Sequence, residues 1–303
     1  LERPAAGGLC RPRRIPGALD GNPELSGLDR RAALAGLGVA ALWRPAFAAA
    51  PGLTLSGRFQ QGGFAMGRTA PRAQIFVDDV AEGLASQAGY FVVGFDRDAG
   101  PEARIRVVTE DGEATHVAVI APGDFNIQRI DGLPEDQVAP QDEALLARIA
   151  AEVERKSKGF ASLADLDDFR QGFITPVKTY RLSARFGGQR ILNGEPKKPH
   201  YGDDLAAPVG TPIRAPAGGV VSFAETGLHF DGGLTLIDHG QGLITCYLHQ
   251  SRIDVAVGDT VRRGQVIGAV GKEGRATGPH LCWRMKWHGR NLDPMLMVGA
   301  KQP

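Results

Sequence analysis

Apolar and polar residues alternate along much of this chain in short bursts, the period of a strand half-buried in a sheet. Six bursts lie between residues 53 and about 132: Leu53 to Phe59, Gln74 to Val77, Tyr90 to Phe95, Arg104 to Thr109, Thr115 to Ile120 and Phe125 to Ile130. Asp111-Gly112, between two of them, is a tight-hairpin signal. The period then lengthens. Leu145, Ile149 and Val153 recur at four-residue spacing between Asp142 and Gly159, which predicts a helix stopped by the glycine. A second short helix is expected after Ser162, because Ser162 and Asp165 have capping-box spacing. The charged face from Arg148 to Lys158 reads as a solvated helix surface with no partner. From Phe173 onward the strand pattern returns, at Gly219 to Ala224, Leu234 to Asp238, Leu243 to His249, Ile253 to Val257, Gln265 to Val270 and Leu281 to Trp287, with Gly and Pro at the junctions.

This order predicts a mainly β protein: a small immunoglobulin-like β-sandwich over residues 51–135, a helical linker over 136–172, and a second β domain over 173–303. A chain of 303 residues can bury two such cores. Its 41 glycines and 20 prolines, without a repeat, suit a turn-rich fold. A net charge of +1 gives no reason to expect a nucleic acid partner. Residues 1–50 read as a leader. Asp29-Arg30-Arg31 precedes the apolar run Ala32 to Leu42, and small residues follow through Ala50, the order of a twin-arginine-like signal peptide cleaved near Ala48 to Ala50. The run is too short for a lasting membrane anchor. Cys10 would leave with the signal, so Cys246 and Cys282 remain. Strand parity sets Cys246 opposite to His249, and Cys282 on the face of His280, which argues against a disulfide between the two cysteines.

Candidate chemistry lies in the last third. His200, Asp204, His249, His280 and Cys282 come from three segments, and His, Asp and Cys are all zinc ligands. His280 and Cys282, two apart on a strand, project from one face. His200 and Asp204 flank a glycine-containing bend, and His249 ends a neighbouring strand. A catalytic zinc takes three protein ligands and leaves a fourth position open, so five residues leave two for proton transfer. Singly, each has an ordinary structural explanation. Tyr201 and the loop from Gly187 to Lys198, with Asn193, adjoin the first of these motifs and could line or gate a groove. His116 stands alone on its strand and reads as structural or solvent-facing.

The stretch from Phe173 to Met297 resembles the lysostaphin-type, or LytM-like, zinc metallopeptidases, which cut peptide cross-bridges of bacterial peptidoglycan. The resemblance rests on the HxGxD pattern of His200 to Asp204, the Ala-Pro-Val-Gly-Thr-Pro run at Ala207 to Pro212, the YxH of Tyr247 to His249, and Thr277-Gly278-Pro279-His280-Leu281-Cys282 in place of TGPHLH. It implies a folded-over antiparallel β-sandwich, related to biotinyl and lipoyl domains, which Val257 to Gly268 also resembles. Lys286 sits inside a predicted strand rather than at a hairpin tip, which argues against biotin attachment. Carried over residue by residue, the resemblance makes His200, Asp204 and Cys282 ligands of Zn2+ and His249 and His280 catalytic. Cys282 departs from the family's histidine. A thiolate ligand would preserve the site and shift activity toward alkaline pH, because a second anionic ligand makes zinc less electrophilic. The implied function is an exported endopeptidase of the periplasm or cell envelope acting on peptidoglycan peptide stems. The alternative is a degenerate envelope protein that binds or activates cell-wall hydrolases, with a regulatory protein as its partner.

Overall fold

The computed structural model of the protein describes residues 52–303 apart from 135–137, 139, 140 and 302. The leader expected over residues 1–50 lies outside them. The described residues fall in one compact unit, Phe47–Pro303, of mainly β structure.

Eight strands come first among the described residues: β1 (Thr54–Arg58), β2 (Phe64–Arg68), β3 (Gln74–Val77), β4 (Val80–Leu84), β5 (Tyr90–Gly94), β6 (Glu102–Thr109), β7 (Gly112–Val119) and β8 (Ile127–Ile130). They make a three-stranded sheet β1-β2-β5 and a four-stranded sheet β4-β3-β6-β7, and β8 leaves to pair elsewhere. Sequence alternation missed β2, whose first four residues are all buried, and β4, which is mostly exposed; neither shows a period of two. His116 is solvent-facing on β7, as expected.

Helix α1 spans Glu143–Phe160, with Asp142 Oδ1 accepting from the Leu145 amide at 2.7 Å as its N-cap. Gly159 does not stop the helix. It lies inside, where a Cβ would fall 2.8 Å from Phe223 and 3.0 Å from Leu236, so its role is close approach to the sheet. The helix expected after Ser162 is absent; the described residues there hold only a 3-10 turn at Asp168–Gln171. Ser162 Oγ instead donates to Asp238 at 2.6 Å.

The remaining strands are β9 (Arg181–Ala184), β10 (Gln189–Leu192), β11 (Glu195–Pro196), β12 (Asp203–Ala206), β13 (Pro212–Arg214), β14 (Gly219–Leu228), β15 (Gly232–Asp238), β16 (Leu243–Ile253), β17 (Thr260–Val261), β18 (Val266–Val270), β19 (His280–Trp287) and β20 (Arg290–Leu292). Ten join one antiparallel sheet whose main path runs β17-β14-β15-β16-β19-β12-β9, with β13, β18 and β20 attached. The strand predicted at Ile253 to Val257 is not one: β16 absorbs Ile253 and the chain then turns.

The two faces of this sheet decide where the site can be. On one, Leu205, Tyr247, Trp283, Met285 and Trp287 join the apolar core shared with Phe64, Phe91, Ile105 and Val107 of the N-terminal strands. On the other, Leu234, Leu236, Ile244, Cys246, Leu248 and Cys282 pack under α1 with Phe160. The charged face of α1 is not simply solvated. Arg155 binds Glu225 through two bonds of 3.0 and 2.6 Å, Lys156 pairs with Asp231, and the buried Glu152 accepts from the His229 amide. These bonds tie the helix over the second face.

The expected loop from Gly187 to Lys198 is a hairpin. β10 pairs with β11 and runs parallel to β8, and Asn193-Gly194 makes the turn, with φ of 50° and 84°. The Asn193 side chain accepts from the Leu133 amide and donates to its carbonyl, which fastens the linker to the hairpin.

Candidate metal centre

Strands β12 and β19 pair with Asp204 opposite Cys282, which sets carboxylate and thiol side by side on the face covered by α1. His200, just before β12, closes the group: its Nε2 lies 3.1 Å from Asp204 Oδ1 and 3.3 Å from Cys282 Sγ. One donor atom from each of the three lies within 4.8 Å of the others. His200 and Cys282 are each 1% exposed, and the buried Asp204 Oδ1 has no hydrogen bond of ordinary geometry despite the nearby imidazole. Leaving a buried carboxylate oxygen unpaired beside an imidazole nitrogen and a thiol is unfavourable unless a cation takes its lone pairs. Two anionic or ionisable donors plus an imidazole, with room for a fourth ligand, is a donor set suited to zinc.

The two other histidines meet beside this cluster, their rings 4.7 Å apart. His280 Nε2 lies 3.6 Å from Asp204 Oδ1. Each ring uses Nδ1 on a backbone carbonyl: His249 on Glu273 at 2.7 Å, His280 on Gly278 at 2.8 Å. A carbonyl can only accept, so Nδ1 carries the hydrogen in both rings, and Nε2 is the nitrogen that keeps a lone pair whenever the ring is neutral. Burial, then the proximity of His280, pushes His249 down to about 4, so its imidazole is neutral near pH 7. All five residues picked from the sequence therefore converge.

Strand parity mispredicted one relation. Cys246 and Cys282 share a face, and His249 reaches it from β16 because its φ of +65° turns the side chain out of alternation. Left-handed backbone is unfavourable at a non-glycine residue, and here its amide is fixed by the Asp231 carbonyl at 2.8 Å. The two cysteines are nevertheless free thiols, as expected.

Arginines are the part of the site the sequence reading passed over. Arg284, two residues after Cys282 on the same face, donates to Cys282 Sγ at 3.3 Å. Arg190 of β10 stands 3.9 Å from Asp204. The alternation of His280, Cys282, Arg284 and Lys286 on β19 held the signal for Arg284, since four consecutive polar or thiol positions mark one face of a strand whose other face is Trp and Met. Tyr201 is not among the residues lining the cleft above the cluster.

Residues 198–294 match the family model for peptidase family M23. This segment is a peptidase family M23 domain. The DD-carboxypeptidase/endopeptidase Mpg of Neisseria meningitidis is 39% identical over 122 residues, 40% of this chain and 28% of that protein. The peptidoglycan DD-endopeptidase ShyC of Vibrio cholerae matches with the same identity and coverage. The chain thus spans little more than a quarter of these curated relatives. Among solved structures, one from Pseudomonas aeruginosa described as a peptidase M23 is 28% identical with a TM-score of 0.60, over 80% of this chain and 96% of that one.

Behind the M23 cluster, on the opposite face of β12, Asp203 is 2% exposed and lies close to Asp293; its Oδ1 accepts from the Phe186 amide at 3.2 Å and its buried Oδ2 has no hydrogen-bond partner. Burial and the neighbouring carboxylate push Asp203 up to about 9. The folded chain then holds a proton that the unfolded chain releases near pH 4, so this pair's contribution to stability is full below that pH and is lost as pH rises toward 9. Asp203→Asn supplies a permanent donor. In metal-free protein its thermal midpoint is expected to gain on wild type steadily from pH 5 to pH 9, reaching several degrees, at about 2–4 °C per kcal/mol. A difference that does not change with pH would refute a protonated Asp203 in the fold.

Proposed function

We propose that the protein is an exported zinc endopeptidase that hydrolyses peptide cross-links of peptidoglycan, with His200, Asp204 and Cys282 as metal ligands and His249 and His280 as catalytic groups. The observation that carries this reading is the convergence of a His, an Asp and a Cys donor, with the Asp204 Oδ1 buried and unpaired, beside two imidazoles whose Nδ1 atoms are bound to backbone carbonyls. Zinc held by the three donors would supply electrophilic activation of water and of the scissile carbonyl. The neutral His249 can take a proton at Nε2 from attacking water, and the conjugate acid of either ring can return one to the leaving amine. Their Nδ1 bonds fix tautomer and orientation, which is how a histidine base is made ready before substrate arrives.

The name of the Vibrio relative supports peptidoglycan as the substrate, and that substrate would place the protein in the cell envelope. Among the described residues no helix is long and apolar enough to cross a membrane. The alternative of a metal-free binding protein gains nothing from this site, since a binder has no need for the three donors to converge.

Mass spectrometry of fragments released from purified peptidoglycan, with and without a zinc chelator, tests the proposal. Chelator-sensitive loss of cross-linked dimers is expected. The wild type should carry about one zinc per chain, and Cys282→Ala should lose most of it. Metallated protein that releases nothing would overturn the reading.

A further inference from the structure

The cleft above the cluster, about 490 Å³, has five lysine and arginine side chains in its walls against only two carboxylates, Asp204 and Asp231. Asp231 is engaged by Lys156. Asp204 belongs to the metal cluster, and together with a Cys282 thiolate it would offset a bound dication. The cleft therefore keeps an excess of positive charge with or without zinc.

Arg190 is partly buried and poorly satisfied. Its side chain is 17% exposed, its Nε is buried without a hydrogen-bond partner, and its contact with Asp204, at 3.9 Å, is too long for a hydrogen bond. The side chain does not lie there by accident of a loose loop, because β10 is held between β8 and β11. Arg275 faces the same space. Its guanidinium stacks 4.6 Å over the Phe230 ring and its backbone amide donates to the Phe230 carbonyl at 2.9 Å. Burial, then the nearness of Arg190 and Arg284, pulls Arg275 down to about 10, so these charges repel one another across the cleft. Holding repelling, partly desolvated guanidinium groups together is unfavourable in the empty cleft and becomes favourable when an anion arrives between them. A planar guanidinium matches a carboxylate best.

We propose that Arg190, with Arg275, forms a carboxylate subsite beside the metal centre, so that the peptide cut there carries a free carboxylate next to the scissile bond. The inference rests on the peptidase reading above. A carboxylate in that place has two sources: the chain terminus of the substrate, or the side chain of a diacid residue.

Two measurements on the full chain test it. The first uses metal-free protein, so that zinc cannot bind the ligand's carboxylate, and compares N-acetylalanine with N-acetylalaninamide by calorimetry. The acid should bind at least tenfold more tightly, a preference that Arg190→Gln abolishes and Arg190→Lys partly restores. Equal binding of acid and amide by the wild type would overturn the subsite, whatever the protein catalyses. The second uses zinc-loaded protein and synthetic stem peptides paired as acid or carboxamide, at the terminus in one set and on a side chain in the other. An acid-to-amide ratio in kcat/KM of ten or more, arising mainly in KM and collapsing toward one in Arg190→Gln, is expected in one set, and that set identifies the source. A ratio that survives the substitution overturns the assignment of Arg190. Acid-selective binding without turnover of any peptide or of peptidoglycan would instead remove the peptidase reading and keep the subsite.

Discussion

Substituting His249 by alanine or glycine is expected to lower kcat on a cleavable peptide by about a hundred- to ten-thousand-fold while leaving zinc content near the wild-type level. The imidazole is close to the cluster without belonging to it: its Nδ1 is committed to the Glu273 carbonyl, and its ring meets that of His280 at a tilt of 52° rather than joining the three grouped donors. Glycine is the better control, because it accepts the φ of +65° that alanine would strain. His280→Ala should give a loss of similar size, and the double variant little more than either single one, since the two rings serve one proton path. Because burial lowers the pKa of His249, its neutral form persists to more acidic pH, and an acid limb due to this residue should lie nearer 4 than 6.5. Metal analysis decides the assignment: a His249→Gly protein that loses zinc along with activity would make this residue a ligand and the base something else.

What was legible in the sequence was local. The hairpin at Asp111-Gly112 and the donors two apart on β19 each follow from neighbouring residues and a known period, and the structure places them as expected. What was not legible depends on partners far along the chain. The charges of α1 looked solvated because Glu225, Asp231 and the His229 amide, which receive them, lie about seventy or more residues away. His249 could be named from its motif, but its face could not be derived, because alternation assumes extended backbone and this residue leaves it. Arg190 was hidden in what read as a loop, and only its pairing with β8 and β11 brings it to the cleft.

The substitution of cysteine for histidine at position 282 should appear most clearly as a pH dependence of zinc affinity. In the metal-free fold, burial pushes the Cys282 thiol up to about 12, even though Arg284 beside it favours the thiolate. His200, lowered to about 4 chiefly by burial, is already neutral above pH 5. Burial acts to raise Asp204, but His200, His280 and Arg190 outweigh it and keep the carboxylate ionised. Metal binding must therefore displace one proton, from sulfur, and the apparent Kd for zinc should tighten by about tenfold for each pH unit between pH 5.5 and 9. In Cys282→His the third donor is an imidazole in the same buried place, which needs no deprotonation above neutrality, so the dependence should flatten there. Competition against a chromophoric chelator at a series of pH values measures both slopes. Arg284 sharpens the comparison. Its guanidinium at 3.3 Å returns to the site the positive charge that a thiolate ligand removes, so Arg284→Gln should weaken zinc binding in the cysteine protein and strengthen or spare it in Cys282→His. A wild-type affinity independent of pH would mean that Arg284 already holds the thiolate before metal arrives, and the alkaline shift expected of the proposed activity would then have to come from the electrophilicity of the metal alone.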